Sequence, residues 1–293
     1  MKITNELGLP ASLIAVLHND GYDENTKENE ISVTQLIDSP KVRLLSRLHK
    51  DELEQDASES LWMLLGSAIH SVMERAKNPK YIIEKRMELP VGNYILRGKP
   101  DLYDIESGEL QDWKITSVWS YIFKDRPTGK TKSWTEQLNI YAYLLGKSGH
   151  NVRSLTNNLI LRDHQRSKAK ADADYPAVPF VSVTQKLWTT EQVEQFIFDR
   201  VKIHSEAEKV SDLQSLVCGP YEKMTKESVF SIYKEGSKAK SSTKNCSSLE
   251  EAQAYIKPLA EKYEIRERPG ADVRCLDYCP VRAYCNHAKG IQI

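Results

Sequence analysis

The chain has 293 residues, with Lys plus Arg and Asp plus Glu both totalling 41, so its formal charge is zero. That length suits one large, elaborated α/β domain or two domains, and the charge balance excludes a global basic field, so any polyanion site has to be local. No run approaches ~18 uninterrupted apolar residues, and the opening MKITNELGLPASL lacks a basic-then-apolar leader pattern. The expectation is a cytoplasmic protein with no membrane association. The five cysteines, Cys218, Cys246, Cys275, Cys279 and Cys285, are odd in number and confined to the last third, which suits a reducing compartment better than a disulfide framework.

The first forty residues mix Gly, Pro, Asn and Asp with short apolar pieces and predict loop and short helix. From residue 39 to about 77 the pattern turns helical: Leu61, Leu64, Leu65, Ile69, Val72 and Met73 recur at three- and four-residue steps, and His70 rides on that helix. Short strands follow through residues 81–114, with Glu106-Ser107-Gly108-Glu109 as a hairpin connection. The polar loop SYIFKDRPTGKTKSW carries Lys124, Arg126, Lys130 and Lys132, a concentration of positive charge suited to phosphate, and leads into the amphipathic helix TEQLNIYAYLLGK. Next come a strand, SLTNNLILRD, a mobile-looking run, HQRSKAKADADYP, and a second strand, PFVSVTQKL. Thr189-Thr190, with Glu191 and Glu194, offers a cap and a negative first turn to the helix EQVEQFIFDRVKIHSEAEKV. Near residue 210 the character changes: ESVFSIYKEGSKAKSSTKNCSSLEEAQAYIK reads as a hairpin around Glu235-Gly236 and a Ser-capped helix, a small inserted ββα unit. The chain closes on RCLDYCPVRAYCNHAKG.

Chemistry concentrates in GKPDLYDIESGELQDWKITS, residues 98–117. Asp101 and Asp112 fall on adjacent extended segments, and two carboxylates converging there form a hard oxygen site suited to Mg²⁺ or Mn²⁺. Lys114, two residues beyond Asp112, projects from the same face of its strand. In phosphodiester hydrolysis such a metal polarises the phosphoryl group and acidifies a water, while the ammonium orients that water or offsets developing charge. The plain alternative is a surface salt bridge between Asp112 and Lys114. Glu84 and Glu88, on the preceding strand-like segment, are further acids between which the sequence offers no choice.

The order of motifs resembles the PD-(D/E)XK nuclease superfamily, and within it the RecB-like exonucleases of phage and CRISPR-adaptation type. Gly98-Lys99-Pro100-Asp101 is similar to the family's G-x-x-D element, Asp112-Trp113-Lys114 to its D/E-x-K element, Gln137 to Tyr141 to its Q-x-x-x-Y element, and Gly66 to His70 to its upstream G-x-x-x-H helix. The resemblance implies an α/β fold, a restriction-endonuclease-like α/β/α core with a central mixed sheet, over residues 60–210. An N-terminal helical and loop region (1–59) would precede it, and the ββα unit (211–260) and a Cys-rich segment packing on the core (261–293) would follow. It further implies Asp101, Asp112 and Lys114 as catalytic residues, and His70, Asp101, Asp112 and the Trp113 backbone carbonyl as ligands of Mg²⁺ or Mn²⁺. Gln137 and Tyr141, one helical turn apart, would position DNA or the lysine, with Lys124, Arg126, Lys130 and Lys132 on the phosphates, joined by Arg162, Arg166 and Lys168.

Cys275, Cys279 and Cys285, spaced C-x3-C-x5-C, offer soft thiolates suited to an iron–sulfur cluster or to zinc. The resemblance implies the cluster, which in many RecB-like exonucleases clasps the C-terminus using a fourth cysteine far upstream. This chain has no cysteine before residue 218. The fourth ligand is therefore open between Cys246, Cys218 and a non-cysteine such as His287, and simple packing of the thiols is the remaining reading. Together these features predict a metal-dependent DNA nuclease, an exonuclease by resemblance, serving phage-type recombination or DNA degradation in the host cytoplasm, as a homo-oligomer or with a recombination-protein partner. Two alternatives stay open: a catalytically silent nuclease-fold DNA-binding or interaction protein, and a structural subunit of a recombination complex with a Cys-bound metal.

Overall fold

Residues 2–19, 27, 29–236, 241–259 and 262–291 are described by the computed structural model, and they fall into two units, Met1–Val217 and Cys218–Ile293. The first unit opens with strand β1 (Lys2–Thr4), helix α1 (Ala11–His18), strand β2 (Glu30–Ser32) and helix α2 (Val33–Ile37). The helical stretch expected from residue 39 to 77 is two helices, α3 (Pro40–Leu48) and α4 (Ala57–Met73), parted by strand β3 (Glu54–Asp56), which pairs in parallel with β1. Asp56 accounts for the restart: its carboxylate accepts the Ser58 N–H at 3.0 Å and so supplies a side-chain cap to α4.

Strands β4 (Tyr81–Ile83), β5 (Met87–Val91), β6 (Tyr94–Gly98), β7 (Leu102–Asp104) and β8 (Glu109–Thr116) follow. The expected hairpin joins β7 to β8, and Gly108 at its turn adopts φ +75°, a conformation that favours glycine. Two stretches expected to be irregular contain helix. In the basic loop, α5 (Val118–Ile122) starts where the Ser117 hydroxyl accepts the Ser120 N–H, and α6 (Thr131–Lys147) begins several residues earlier than its apolar pattern. Past β9 (Ser154–Leu161), the lysine-rich run folds into α7 (Arg166–Ala171) before β10 (Phe180–Gln185). Helix α8 (Thr190–Ala207) starts as predicted, with Thr189 and Gln192 forming a reciprocal capping box.

The central sheet runs β10-β9-β8-β7-β4 and is mixed, with β8 and β9 parallel and the other neighbours antiparallel. A smaller sheet runs β2-β6-β5. Helix α6 brings Leu138, Ile140, Leu144 and Leu145 into one core with Leu96, Tyr103, Leu110 and Leu155, joined by Val193 and Ile197 of α8. A second cluster gathers Val118, Trp134, Leu159, Leu161 and Tyr175. This is the expected restriction-endonuclease-like α/β core. Side chains alternate along a strand, so Asp112 and Lys114 share with the core residue Leu110 the face of β8 that looks toward α6.

The second unit contains α9 (Pro220–Lys223), β11 (Thr225–Lys226), β12 (Val229–Lys234), β13 (Lys244–Cys246), α10 (Leu249–Ile256), β14 (Tyr263–Arg268) and β15 (Ala271–Asp272). The ββα unit thus gains a third strand: β14 pairs along the whole of β12, giving the order β13-β12-β14. Its charged alternation, YEIRER, hides it among polar residues, and only Tyr263 and Ile265 pack on the small core of Ile232, Cys246 and Ala252. The tip of the expected hairpin, residues 237–240, lies outside the described residues. The Cys-rich segment forms a π-helical turn (Arg274–Tyr278), a 3-10 turn (Arg282–Tyr284) and α11 (Asn286–Ile291).

Candidate active site

The sheet delivers the acidic residues and the helices deliver their partners. Asp112 on β8 is 1 % exposed and Asp101, just before β7, 6 %. The Trp113 N–H donates to Asp101 Oδ2 at 2.7 Å, which ties the two acidic segments together. Burial and the neighbouring Asp112 charge push the Asp101 carboxyl up to about 7, against the opposing pull of His70 and Lys114. Lys114 Nζ lies 2.8 Å from Asp112 Oδ1 and donates to Gln137 Oε1 at 3.2 Å, and the Gln137 amide donates to the Tyr141 hydroxyl at 3.3 Å. A half-buried relay therefore links the acid, the lysine and the face of α6.

His70 reaches this centre from α4. Its Nδ1 stands 2.8 Å from Glu84 Oε1 and 3.5 Å from Asp101 Oδ1. The Glu84 hydrogen bond holds the imidazole above its ordinary value, with burial opposing. Ligand atoms of His70, Glu84 and Asp101 all lie within 4.8 Å of one another. Asp112 stands beside this trio with both oxygens engaged, one by Lys114 and the other by the Asn157 side-chain amide at 2.8 Å.

Two residues of this centre escaped the sequence reading. Between Glu84 and Glu88, the structure brings Glu84 to His70, and Glu88 pairs with Arg86 instead. Glu84 sits at φ +50°, an uncommon conformation for a non-glycine residue, with its N–H donating to the Asp101 carbonyl at 3.2 Å. Burial pushes its carboxyl up, but the hydrogen bonds from His70 and Lys99 prevail and hold it below the usual range. Asn157, fully buried on β9, faces Asp112 in the parallel register. Its neighbours repeat the device, Thr156 donating to Glu109 at 2.5 Å and Asn158 to Gln111 at 3.1 Å. The asparagine pair in a central strand was the available signal, because such residues are depleted there unless something answers them.

Gly98 of the G-x-x-D element serves packing. A Cβ there would meet Leu144 Cδ1 at 2.6 Å and Tyr141 Cε1 at 2.9 Å, so its absence lets α6 close on β6. Among the predicted phosphate contacts, Lys124 pairs with Asp125, Arg126 stacks on Phe123, and Lys132 lies 4.0 Å from Glu136. Lys130 precedes the first turn of α6, while Arg166 and Lys168 ride on α7.

In the second unit, Cys275, Cys279 and Cys285 are buried and Cys218 is half-buried. Burial, and after it the neighbouring Cys279, Asp272, Cys218 and Cys285, push the Cys275 thiol up to about 11. Cys246 packs instead against Ile232 and Ala252. Asp272 accepts from Thr225, from His287 at 2.7 Å and from Lys223 at 3.0 Å. Ligand atoms of Asp272, Cys275 and His287 lie within 4.8 Å of one another.

No helix among the described residues is long and apolar enough to cross a membrane. No curated protein is significantly similar to the chain. Among solved structures, SSO0001 overlaps 71 % of this chain and 94 % of its own, at 16 % identity and a TM-score of 0.45. A phage-related exonuclease from Haemophilus somnus 129PT overlaps 67 % of this chain and 77 % of its own, at 14 % identity and a TM-score of 0.31. Both overlaps are too loose to carry function. The sequence profile of the PD-(D/E)XK nuclease superfamily, in contrast, matches residues 43–286, most of the chain, and the protein belongs to that superfamily.

Proposed function

We propose that the protein is a divalent-metal-dependent deoxyribonuclease that hydrolyses phosphodiester bonds from DNA ends, an activity suited to phage-type recombination or DNA degradation. The observation that carries this reading is the convergence of His70, Glu84 and Asp101 within 4.8 Å, beside an Asp112 that is hydrogen-bonded to the amine of Lys114. The donor set fits a hard cation. Three acids and one imidazole meet where burial and like charge already lift Asp101 to about 7, and a dication relieves that repulsion.

Asp101, Asp112, His70 and the Trp113 carbonyl are the groups to hold Mg²⁺ or Mn²⁺, with Glu84 as a further oxygen donor. Such an ion, when bound, neutralises phosphate charge and acidifies a coordinated water. The chain's own residues supply the rest. Lys114, suspended between Asp112 and Gln137, presents an ammonium to the charge that grows on the phosphate. Gln137 and Tyr141 fix where that amine stands, and Asn157 stops the Asp112 carboxylate from turning. Lys124, Arg126, Lys130 and Lys132 contact phosphates, so affinity falls with added salt despite zero net charge.

In the second unit, Cys218 joins Cys275, Cys279 and Cys285 as the fourth thiolate of an iron–sulfur or zinc centre. Cys279, Cys218 and Cys285 all stand close enough to raise the Cys275 thiol, and Asp272 and His287, whose ligand atoms lie within 4.8 Å of that of Cys275, are the competing donors. Incubation with linear and covalently closed circular DNA, with Mg²⁺, Mn²⁺ or EDTA, tests the reading. Linear DNA is degraded only with metal, and the circle is spared. Cutting of the circle replaces end-dependence with endonuclease action, and intact DNA under every condition overturns the assignment.

A further inference from the structure

The first unit carries aromatic rings that its cores leave in water. Trp62 on α4 is 55 % exposed and Trp119 on α5 is 52 % exposed. Cations lie on them: the Arg162 guanidinium stands 4.1 Å from the Trp62 ring centroid and the Lys168 ammonium 5.9 Å from that of Trp119. Phe123 stacks on Trp119, with centroids 5.5 Å apart and planes 17° apart, and Arg126 covers Phe123 at 3.6 Å.

The segments that carry these rings and cations adjoin the strand and helix of the acidic centre. The Arg162 N–H donates to the carbonyl of Thr116, the last residue of β8, which also carries Asp112 and Lys114. The Val118 N–H at the start of α5 donates to Asp163 at 2.7 Å. Trp62 precedes His70 on one helix by eight residues, about 12 Å along its axis.

The chemistry of the surface selects its ligand. Trp62 carries a cation on one side of a half-exposed indole, and Trp119 stays 52 % exposed although Phe123 and Lys168 flank it, so both indoles keep surface for a flat partner, whereas Phe123 is taken up by Trp119 and Arg126. A duplex turns its phosphates outward and stacks its bases on each other, so base faces are out of reach except at an end. An unpaired strand offers a base face and a phosphate at every step, which is what interleaved rings and cations bind. Resting on the nuclease reading above and naming its substrate class, we infer that Trp62 and Trp119, the latter backed by Phe123, form with Arg126 and Arg162 a stacking platform for unpaired nucleotides. The strand then reaches the acidic centre single-stranded, as a free single strand or as the unpaired tail of a duplex.

Fluorescence anisotropy in EDTA, where no strand is cut, tests this with labelled oligo-dT, an abasic phosphodiester oligomer of equal length and a blunt duplex. Wild-type protein is expected to bind oligo-dT at least about tenfold more tightly than the abasic oligomer. Trp62→Ala and Trp119→Ala each weaken oligo-dT binding by about tenfold and leave abasic binding alone. Trp119→Phe keeps most of the affinity. Both side chains are exposed, and unchanged melting temperatures confirm that the variants fold. Equal wild-type affinity for the oligo-dT and abasic probes overturns the platform, as does a loss that extends equally to the blunt duplex. A change in solution mass with unchanged oligo-dT binding also overturns it and assigns the rings to a protein partner. Ring-dependent binding without hydrolysis in Mg²⁺ or Mn²⁺ supports the platform and sinks the nuclease reading. Metal-dependent hydrolysis with ring-independent binding does the reverse.

Discussion

The acidic centre of the first unit and the thiol centre of the second bury similar groups under opposite conditions. Around Asp101 and Asp112 the protein answers charge with its own donors: Lys114 and Asn157 on one carboxylate, the Trp113 N–H and the nearby His70 on the other. Around Cys275 the neighbours that matter are further thiols and Asp272, and the nearby donors Lys223 and His287 go to that aspartate. The first arrangement is organised before any ion arrives. Both set like beside like, but the second directs its nearby donors, Lys223 and His287, to Asp272 and gains most from an occupant. Metal should therefore govern chemistry in one unit and folding in the other.

The sharpest break of that contrast comes at Asp112. Asp112→Ala is expected to lower hydrolysis by about 10³-fold or more, the scale of several kcal/mol that a correctly held metal contributes, while EDTA leaves the unfolding transition of the first unit in place. Lys114→Ala should cut turnover more than DNA affinity. Wild-type rates in purified Asp112→Ala would show the chemistry to be elsewhere.

Next in size is Cys218→Ser, expected to remove bound iron or zinc and to destabilise the second unit by more than about 4 kcal/mol. Cys246→Ser keeps its metal, because Cys246 belongs to a different core. An iron–sulfur centre is brown, with absorption near ~400 nm from sulfur-to-iron charge transfer, and zinc is colourless. Metal-free protein of unchanged stability in Cys218→Ser would place both centres in one class.

His204 provides a control, a buried group answered wholly from within. Its Nδ1 accepts from Arg43 Nε at 3.1 Å and its Nε2 donates to the Leu36 carbonyl at 3.1 Å, so the ring is neutral. Burial, then Arg43 and Arg200, depress it to about 4, with Leu36 and Asp38 opposing. Glu208 lies beyond, on Arg43. The unfolded chain binds this proton more readily than the folded one, so stability is full above the unfolded value near 6.5 and falls as pH drops toward 4. The loss is on the order of 3 kcal/mol. Urea unfolding from pH 7 to 4 reads this slope, and His204→Gln should remove it.

The smallest effect is expected at Asn157. Asn157→Ala frees Asp112 to rotate and should weaken Mn²⁺ binding or turnover by about 10- to 100-fold. Calorimetric titration with Mn²⁺ checks it, and unchanged affinity together with unchanged turnover would mean that Lys114 alone positions the carboxylate.

What was legible in the sequence follows the range of each signal. Asp112 and Lys114 share a strand face, and Gln137 and Tyr141 share a helix face, so period alone joined each pair. The mixed sheet followed from the order of its elements. Glu84 was hidden because its φ of +50° takes it out of any regular alternation. Asn157 was hidden because the parallel register that sets it beside Asp112 is fixed by tertiary pairing and leaves no local trace. Cys246 became distinguishable from the other cysteines only once it was found in the small core. Helix α7 was missed in its lysine-rich run because none of its residues is buried, so it has no apolar stripe to find.

Gly98 sets the clearance between two motifs by means of an absent atom. With Leu144 Cδ1 and Tyr141 Cε1 2.6 Å and 2.9 Å from where a Cβ would sit, any other residue forces those two α6 side chains to give way. Gln137 sits on that helix one turn before Tyr141, and its carbonyl oxygen holds the Lys114 amine. The position of the proposed catalytic ammonium is therefore gauged in part by a residue outside the proposed ligand set, and a single methyl group there is expected to disturb the contact between Gln137 and Lys114.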